Sequence, residues 1–542
     1  MEGARRLSDG AREVHHVGVR LDGERDDAVR HLTFRAGPSL RDILNASSAR
    51  VRSACAGIGA CGLCRVRIDA GAAGAPTTAE RLHLGEDALA AGTRLACQVR
   101  PRAGMDVTVL EPARPSPWRT IAPAYRAAHP ISPARAGGLP WGAAVDVGTT
   151  QITVAICDMA TGRRVAARTG PNPQARMGAD VICRLEAAAR SGAAGDELRD
   201  SALDAIGDAL LALSQDEGIA LPEVGPVRVV GNSAMLTLLS GGRADALLDP
   251  ARWAGRIECT LADPGALAES WNLGRGAAID LVEPLGGFVG SDLLAGVVHC
   301  RLAEGDPALL IDFGTNSEIA LWDGARLWVT AAAGGPAFEA AGIGCGMAAE
   351  PGAVRRLTRS AEGAWLGEII EAPPVRGICG SGLVDLVGLL ASGGEIDERG
   401  RPRREPLTIV VAGAELGVSK ADIDVFQRAK AAVGAGVEVL RRRSGLRFDQ
   451  IAAVHVAGSF GEQVDVENAQ RIGLLPPVPP GRVRLAGNTA LRGALDVLLS
   501  AEAGASLARA RRGAKLINLS MDAAFEELFL DHLYLRPAGA RS

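Results

Sequence analysis

The chain has 542 residues, 47% of them hydrophobic and 23% charged, with a net charge of -4. That length and balance predict two to four globular domains around a large core, and give no sign of a nucleic-acid partner. No apolar run approaches the ~18 residues of a membrane-spanning helix, and the N-terminus lacks the apolar region of a secretory signal, so a cytoplasmic protein without a membrane partner is expected.

Ten cysteines are unevenly spread: Cys55, Cys61, Cys64 and Cys97 crowd one segment, and the other six sit among apolar neighbours. This pattern suits a metalloprotein better than a disulfide scaffold. In chain order, weak alternation over 16–21 and 31–34 predicts two paired strands. Ser39 is placed to cap a short helix ending at Asn45. The loop CAGIGACGLC over 55–64 follows, then a strand over 65–68, then Cys97. Four thiolates with spacing C-x5-C-x2-C and a distant fourth provide two ligands for each iron of a [2Fe–2S] cluster, and glycine amides can hydrogen-bond its sulfides. A zinc site with four cysteines stays open, although structural zinc usually takes two knuckles of C-x2-C type. Residues 1–112 are expected to form this domain. Residues 113–140 are rich in proline and predict an extended tether, with Trp118 and Tyr125 as docking points.

From 141 to 542, strands alternate with helical stretches (178–190, 201–214, 384–390, 420–444), which predicts α/β layers in two halves, roughly 141–300 and 301–542. Two stretches echo each other, AAVDVGTTQITVAICD at 143–158 and ALLIDFGTNSEIALWD at 308–323. In each, an apolar strand ends on an aspartate and turns through glycine and hydroxyl or amide residues. Gly148 and Gly314 allow backbone amides to approach phosphate, while Thr149, Thr150, Thr315 and Asn316 add side-chain donors. Asp146 and Asp312 can hold Mg²⁺ through its waters or orient an attacking water. Glu318 could polarise a water or be structural. A third glycine turn carries Gly458, Ser459 and Gly461, and a further echo pairs VRVVGNSAMLTLL at 227–239 with VRLAGNTALRGAL at 483–495. No G-x4-G-K-[ST] loop is present. His455 reads as a core residue, and Cys345 and Cys379 as small packing residues.

These turns resemble the ATP-binding elements of the ASKHA superfamily (acetate and sugar kinases, Hsp70, actin). The resemblance implies that 146–150 and 312–316 are the two phosphate loops and that 458–461 contacts adenosine. It also makes GICGSGLVD at 377–385 a candidate for the small-residue helix joining the lobes, with plain packing against a sheet as the equal alternative. The cysteine spacing resembles adrenodoxin-like [2Fe–2S] ferredoxins. Together the two parts resemble the reductive activators of corrinoid proteins (RACo-like, the RACE family). That resemblance implies a β-grasp ferredoxin-like domain joined to a two-lobed actin-like ATPase, with a [2Fe–2S] cluster, ATP and Mg²⁺ as cofactors. It implies one-electron reduction of a Co(II) corrinoid protein or methyltransferase to Co(I), with electrons from an upstream donor; a homodimer is left open. Rival readings are an ASKHA small-molecule kinase with a redox-sensing cluster, an electron-transfer subunit that senses ATP, and an activator of a radical dehydratase.

Overall fold

The computed structural model describes residues 14–539 except 23–27, 48, 52–54, 56, 60, 113–117, 122–124, 133–137, 179, 341, 372–373, 406 and 459–462. The first sheet contains β1 (Val14–Leu21), β2 (Arg30–Arg35), β3 (Arg65–Ala70), β4 (Thr93–Leu95) and β5 (Met105–Val109), in the order β2-β1-β5-β3-β4. Its first and last strands run parallel at the centre, and the remaining pairs are antiparallel. Val17, Val19, Val66 and Val107 alternate onto one buried face, against Leu40 and Leu44 of α1 (Leu40–Asn45). Ser39 caps α1 in a reciprocal box with Asp42, satisfying donors that a helix end leaves open. Helix α2 (Thr78–Ala90) is tied to β4 by a two-pronged Arg94–Glu80 pair, both contacts 2.8 Å and buried.

Two six-stranded sheets follow, and they share one plan. In the first lobe, β7 (Trp141–Val147), β8 (Gln151–Asp158) and β9 (Arg164–Pro171) form an antiparallel meander. On its far side β10 (Val224–Gly231) and β11 (Ile279–Leu281) add in parallel and β6 (Arg119–Ile121) edges β9, giving β11-β10-β7-β8-β9-β6. In the second lobe, β12 (Ala308–Phe313), β13 (Ser317–Trp322) and β14 (Leu327–Ala332) repeat the meander. Strands β20 (Ala453–Gly458) and β21 (Val483–Gly487) add in parallel to β12, and β22 (Lys515–Leu516) edges β14. Between them, β15 (Ala353–Arg359), β16 (Trp365–Ile369) and β17 (Gly377–Ile378) form a small sheet, and β18 (Leu407–Val411) with β19 (Ala414–Val418) a hairpin. The repeated strand order shows an internal duplication in three dimensions.

The helices follow the strands. The first lobe carries α3 (Val181–Arg190), α4 (Gly192–Glu217), α5 (Ser233–Ser240), α6 (Ala244–Leu248) and α7 (Pro264–Ser270). Next come α8 (Ser291–His299), α9 (Gly380–Ser392), α10 (Lys420–Ser444), α11 (Val466–Arg471), α12 (Thr489–Leu499), α13 (Ala501–Gly513) and α14 (Phe525–His532). Helices α8 and α12 join the lobes. Leu293, Leu294 and Val298 of α8 share a buried cluster with Leu491, Leu495 and Leu498 of α12 and with residues from both sheets. Gly493 allows the close approach, since a Cβ there would lie 2.0 Å from the Ala295 carbonyl oxygen. The lobe connector is therefore not 377–385. That stretch forms β17 and the start of α9, where Gly382 passes under Val354; its small residues do mark close packing, but within the second lobe.

The tether also differs from an extended spacer. Strand β6 (Arg119–Ile121) pairs antiparallel with β9, extending the first lobe's sheet, and Trp118 covers Gly170. Farther on, the Tyr125 hydroxyl and the Ala128 amide donate to Asp496 Oδ1 at 2.7 and 2.9 Å, and His299 Nδ1 lies 2.6 Å from Asp496 Oδ2. A buried carboxylate at the far end of α12 thus pins the linker to α8 as well. Truncating it would orphan three half-buried polar groups, so Asp496→Ala is expected to destabilise the chain by about 2–4 kcal/mol in denaturant titrations. A loss below about 1 kcal/mol would show that the anchor is dispensable.

Candidate functional site: a cleft between the lobes and a four-thiol loop

Both aspartate turns open onto one cavity of about 890 Å³ between the lobes. Asp146 is the penultimate residue of β7 and Asp312 of β12, and each turn is a tight hairpin into the next strand; in the first, the Gly148 amide donates to the Gln151 carbonyl at 2.9 Å. The two turns face each other, with Thr150 Oγ1 3.4 Å from Thr315 Oγ1. Gly148, Thr149, Gly314 and Asn316 line the same cavity. Gly458 lies at the end of β20 beside the second turn; with φ at 74° and a Cβ clash against the Phe313 carbonyl and Asp312, only glycine fits there. Ser459 and Gly461 lie outside the described residues.

The cleft floor concentrates acid. Asp146, Asp312, Glu318 and Asp292, the second residue of α8, all line the cavity. Burial pushes Asp146 up to about 6, and burial together with the Asp146 charge pushes Asp312 up to about 7. Burial and the charges of Asp146 and Asp312 raise Asp292, and burial and the charges of Asp292 and Asp312 raise Glu318. Glu318 Oε1 is buried without a hydrogen-bond partner. Among the described residues, no three of these carboxylates surround one point for direct ligation, so the fit is to a hydrated divalent cation held through its waters, which would relieve the repulsion.

Asparagines support the floor. Asn232 and Asn488 occupy equivalent places in the GNS/GNT echo, each capping a helix, α5 and α12 respectively. Asn232 Nδ2 donates to Thr149 Oγ1 at 3.1 Å, and Asn488 Nδ2 to Asp146 Oδ2 at 3.0 Å. Asn172 Nδ2 donates to the Gly148 carbonyl at 2.9 Å. The sequence displayed the echo without revealing that its asparagines reach into the site. Asp292 closes the glycine-rich run 286–292, which in sequence shows no role for its aspartate in the cleft. His455 is buried and held neutral, its ring pushed down to about 4 by burial. Cys345 is buried, and Cys379 is buried at the cavity wall.

The cysteine loop closes the first domain. Cys55, Cys64 and Cys97 are buried and Cys61 is half-buried. Cys64 and Cys97 form a hydrogen-bonded thiol pair; that bond, then burial, pushes Cys64 up, and the same bond holds Cys97 down at about 7. The charge of Cys61 acts on Cys64 and that of Cys55 on Cys97, so the four thiols are neighbours. Among the described residues no three His, Cys, Asp or Glu side chains surround a single point as one ion would require. A two-iron cluster needs thiol pairs about two points, and the Cys64–Cys97 pair fits that demand. Gly59 and Gly62, at φ of 83° and 65°, press the loop against Gln98 and His83. The loop also reaches the first lobe. Cys61 and Leu63 pack on its core, and Arg50 Nη2 donates at 2.6 Å to Asp216, which Arg168 holds from the other side at 3.0 Å.

A β-grasp four-thiol domain seated on a duplicated, two-lobed cleft with paired phosphate-type turns defines a ferredoxin-fused protein of the actin-like ASKHA class. Three family models match in succession: the 2Fe-2S iron-sulfur cluster binding domain over 25–102, the RACo middle region over 141–305, and the C-terminal domain of RACo, the ASKHA domain, over 306–541. The chain belongs to the RACo family of reductive activators. It is 28% identical over 415 residues to the corrinoid activation enzyme RamQ of Eubacterium limosum, covering 72% of this chain and 69% of that one. It is 30% identical over 233 residues to the [Co(II) methylated amine-specific corrinoid protein] reductase of Methanosarcina barkeri, covering 39% and 42%. The solved structure of a reductive activator for corrinoid, iron-sulfur protein superposes with a TM-score of 0.64 at 24% identity, over 96% of this chain and 98% of that one, and establishes the shared fold. Among the described residues no helix is long and apolar enough to cross a membrane.

Proposed function

We propose that this protein is an ATP-driven reductive activator that returns an inactive Co(II) corrinoid, held by a partner protein or methyltransferase, to Co(I). The observation that carries this reading is the seat of the cysteine loop: Cys61 and Leu63 pack on the core of the lobe that presents the 146–150 turn. The redox module therefore touches the element that nucleotide would move. In this reading residues 1–112 are the redox domain, 113–140 the linker and 141–542 the ATPase. Cys55, Cys61, Cys64 and Cys97 hold the cluster, which when bound supplies one electron at a time from an upstream donor.

The other roles belong to the cleft. Gly148, Thr149, Thr150, Gly314, Thr315 and Asn316 cradle phosphates, and Gly458, Ser459 and Gly461 border the nucleoside. Asp146 and Asp312 hold Mg²⁺ through its waters, and Glu318 orients water. Coupling is needed because ordinary [2Fe–2S] donors sit near roughly -400 mV, and each ~59 mV of deficit in a one-electron step costs about 1.4 kcal/mol. Closing the lobes on MgATP offsets such a deficit only if the open and closed forms bind the corrinoid protein with different affinity. Helices α8 and α12, which start at the cleft floor and end at the linker anchor, provide the mechanical connection.

The test is anaerobic: reduced protein, MgATP and a Co(II) corrinoid protein encoded in the same genome, followed by the absorbance of Co(I). ATP-dependent appearance of Co(I) is expected. No ATP-dependent reduction with any encoded corrinoid protein would sink the proposal.

A further inference from the structure

The hydroxyl that each phosphate-type turn offers to the cleft is already engaged. Thr150 Oγ1, from the first lobe, donates to Glu339 Oε2 at 2.9 Å, and Thr315 Oγ1, from the second, donates to Glu339 Oε1 at 2.9 Å. One carboxylate thus bridges the lobes, with each oxygen taking one hydroxyl. A threonine hydroxyl has a single proton to donate, so neither can serve a phosphate while it serves Glu339. The backbone beside Glu339 is also unusual. Ala340, buried, sits at φ of 63°, a conformation costly for a residue with a Cβ and one that collects at switch segments. Phe338 on the other side is fixed edge-on between Phe313 and Phe426, which anchors the segment that carries the carboxylate.

We infer that Glu339 is an internal stand-in for the terminal phosphate of a nucleoside triphosphate, a latch that closes the two lobes on each other and that the γ-phosphate must displace. The inference rests on the cleft being a nucleotide site. Glu339 acts as a positioning residue: it occupies the donors when the cleft is empty and releases them when a triphosphate enters. Displacement would then be the event that reports triphosphate, since adenosine alone does not reach the two hydroxyls. No bond is made or broken in this exchange; one anion replaces another on the same two donors.

Calorimetric titration of the full-length protein with MgATP and with adenosine separates the outcomes. Removing the competing carboxylate in Glu339→Ala should tighten MgATP by about tenfold, the scale of a charge-assisted hydrogen bond, and leave adenosine unchanged. Glu339→Gln keeps the shape and loses the charge, and should give part of that gain; it also serves if the alanine variant folds poorly. Unchanged or weaker MgATP binding in the folded variants would overturn the latch while leaving the nucleotide site standing. Wild-type protein that binds neither ligand would instead overturn the nucleotide site, and the latch with it.

Discussion

Replacing Cys64 with serine is expected to abolish the visible absorption of the cluster and to cut corrinoid reduction by more than ~100-fold, a larger loss than changes to groups around a metal ligand cause. A serine oxygen is a harder and more weakly acidic ligand than a cysteine sulfur, so it replaces a thiolate poorly. Cys64 is buried and paired with Cys97, leaving no route for another side chain to fill the place. MgATP binding should survive, because the thiol loop touches the outer core of the first lobe and not the cleft lining. The check is paired: iron and acid-labile sulfide content beside absorption, and Co(I) formation beside nucleotide affinity. Retention of both colour and reduction in Cys64→Ser would remove the cluster assignment, and zinc in place of iron and sulfide in the native protein would do the same.

For Asp312→Asn, ATP hydrolysis is expected to fall by ~100-fold or more, the loss expected when a carboxylate that positions the cation or the attacking water is neutralised. The accompanying stability effect has a definite sign. Burial raises Asp146 to about 6 and Asp312 to about 7, whereas an unfolded aspartate titrates near ~3.9. The folded protein therefore binds more protons than the unfolded chain between those values. Their stabilising contribution is complete below about pH 4 and is lost as pH rises through 6 and 7. Without cation, the melting temperature should fall from pH 5 to pH 8. The asparagine variant should flatten that slope, and MgATP should restore stability at the alkaline end of the native protein. A melting temperature that rises over this range, or normal hydrolysis by Asp312→Asn, would mean that the acidic floor is not built around a cation.

The division between what the residues announce and what the fold supplies follows from the range of the interactions. Local signals were readable. The capping Ser39, the helix over 420–444 and the strand pairs leading into 146–150 and 312–316 each depend on residues a few positions apart, and each stands where expected. The thiol spacing and the repeated aspartate turns were legible for the same reason, because short-range chemistry leaves a pattern in short stretches. Partnership across the chain was not. The small residues at 377–385 announced a close approach but not its partner, and the interlobe helices proved to be α8 and α12, which look like ordinary apolar helices in sequence. Proline content predicted an extended tether docked through Trp118 and Tyr125, and both residues do dock; their partners were not legible, since the backbone completes a sheet edge at β6 and Tyr125 reaches Asp496, 371 residues away. Asn232, Asn488, Asp292 and Glu339 became site residues only when folding brought distant turns together. The sequence by itself determined the two chemistries, thiolate and carboxylate, and the duplicated strand–turn plan. Tertiary structure alone decided that four acids share one cleft floor, that Glu339 spans the lobes, and that the thiol loop rests on the lobe carrying the first turn. Charge repulsion, desolvation and shared hydrogen-bond donors act through space, and only the folded chain sets those distances.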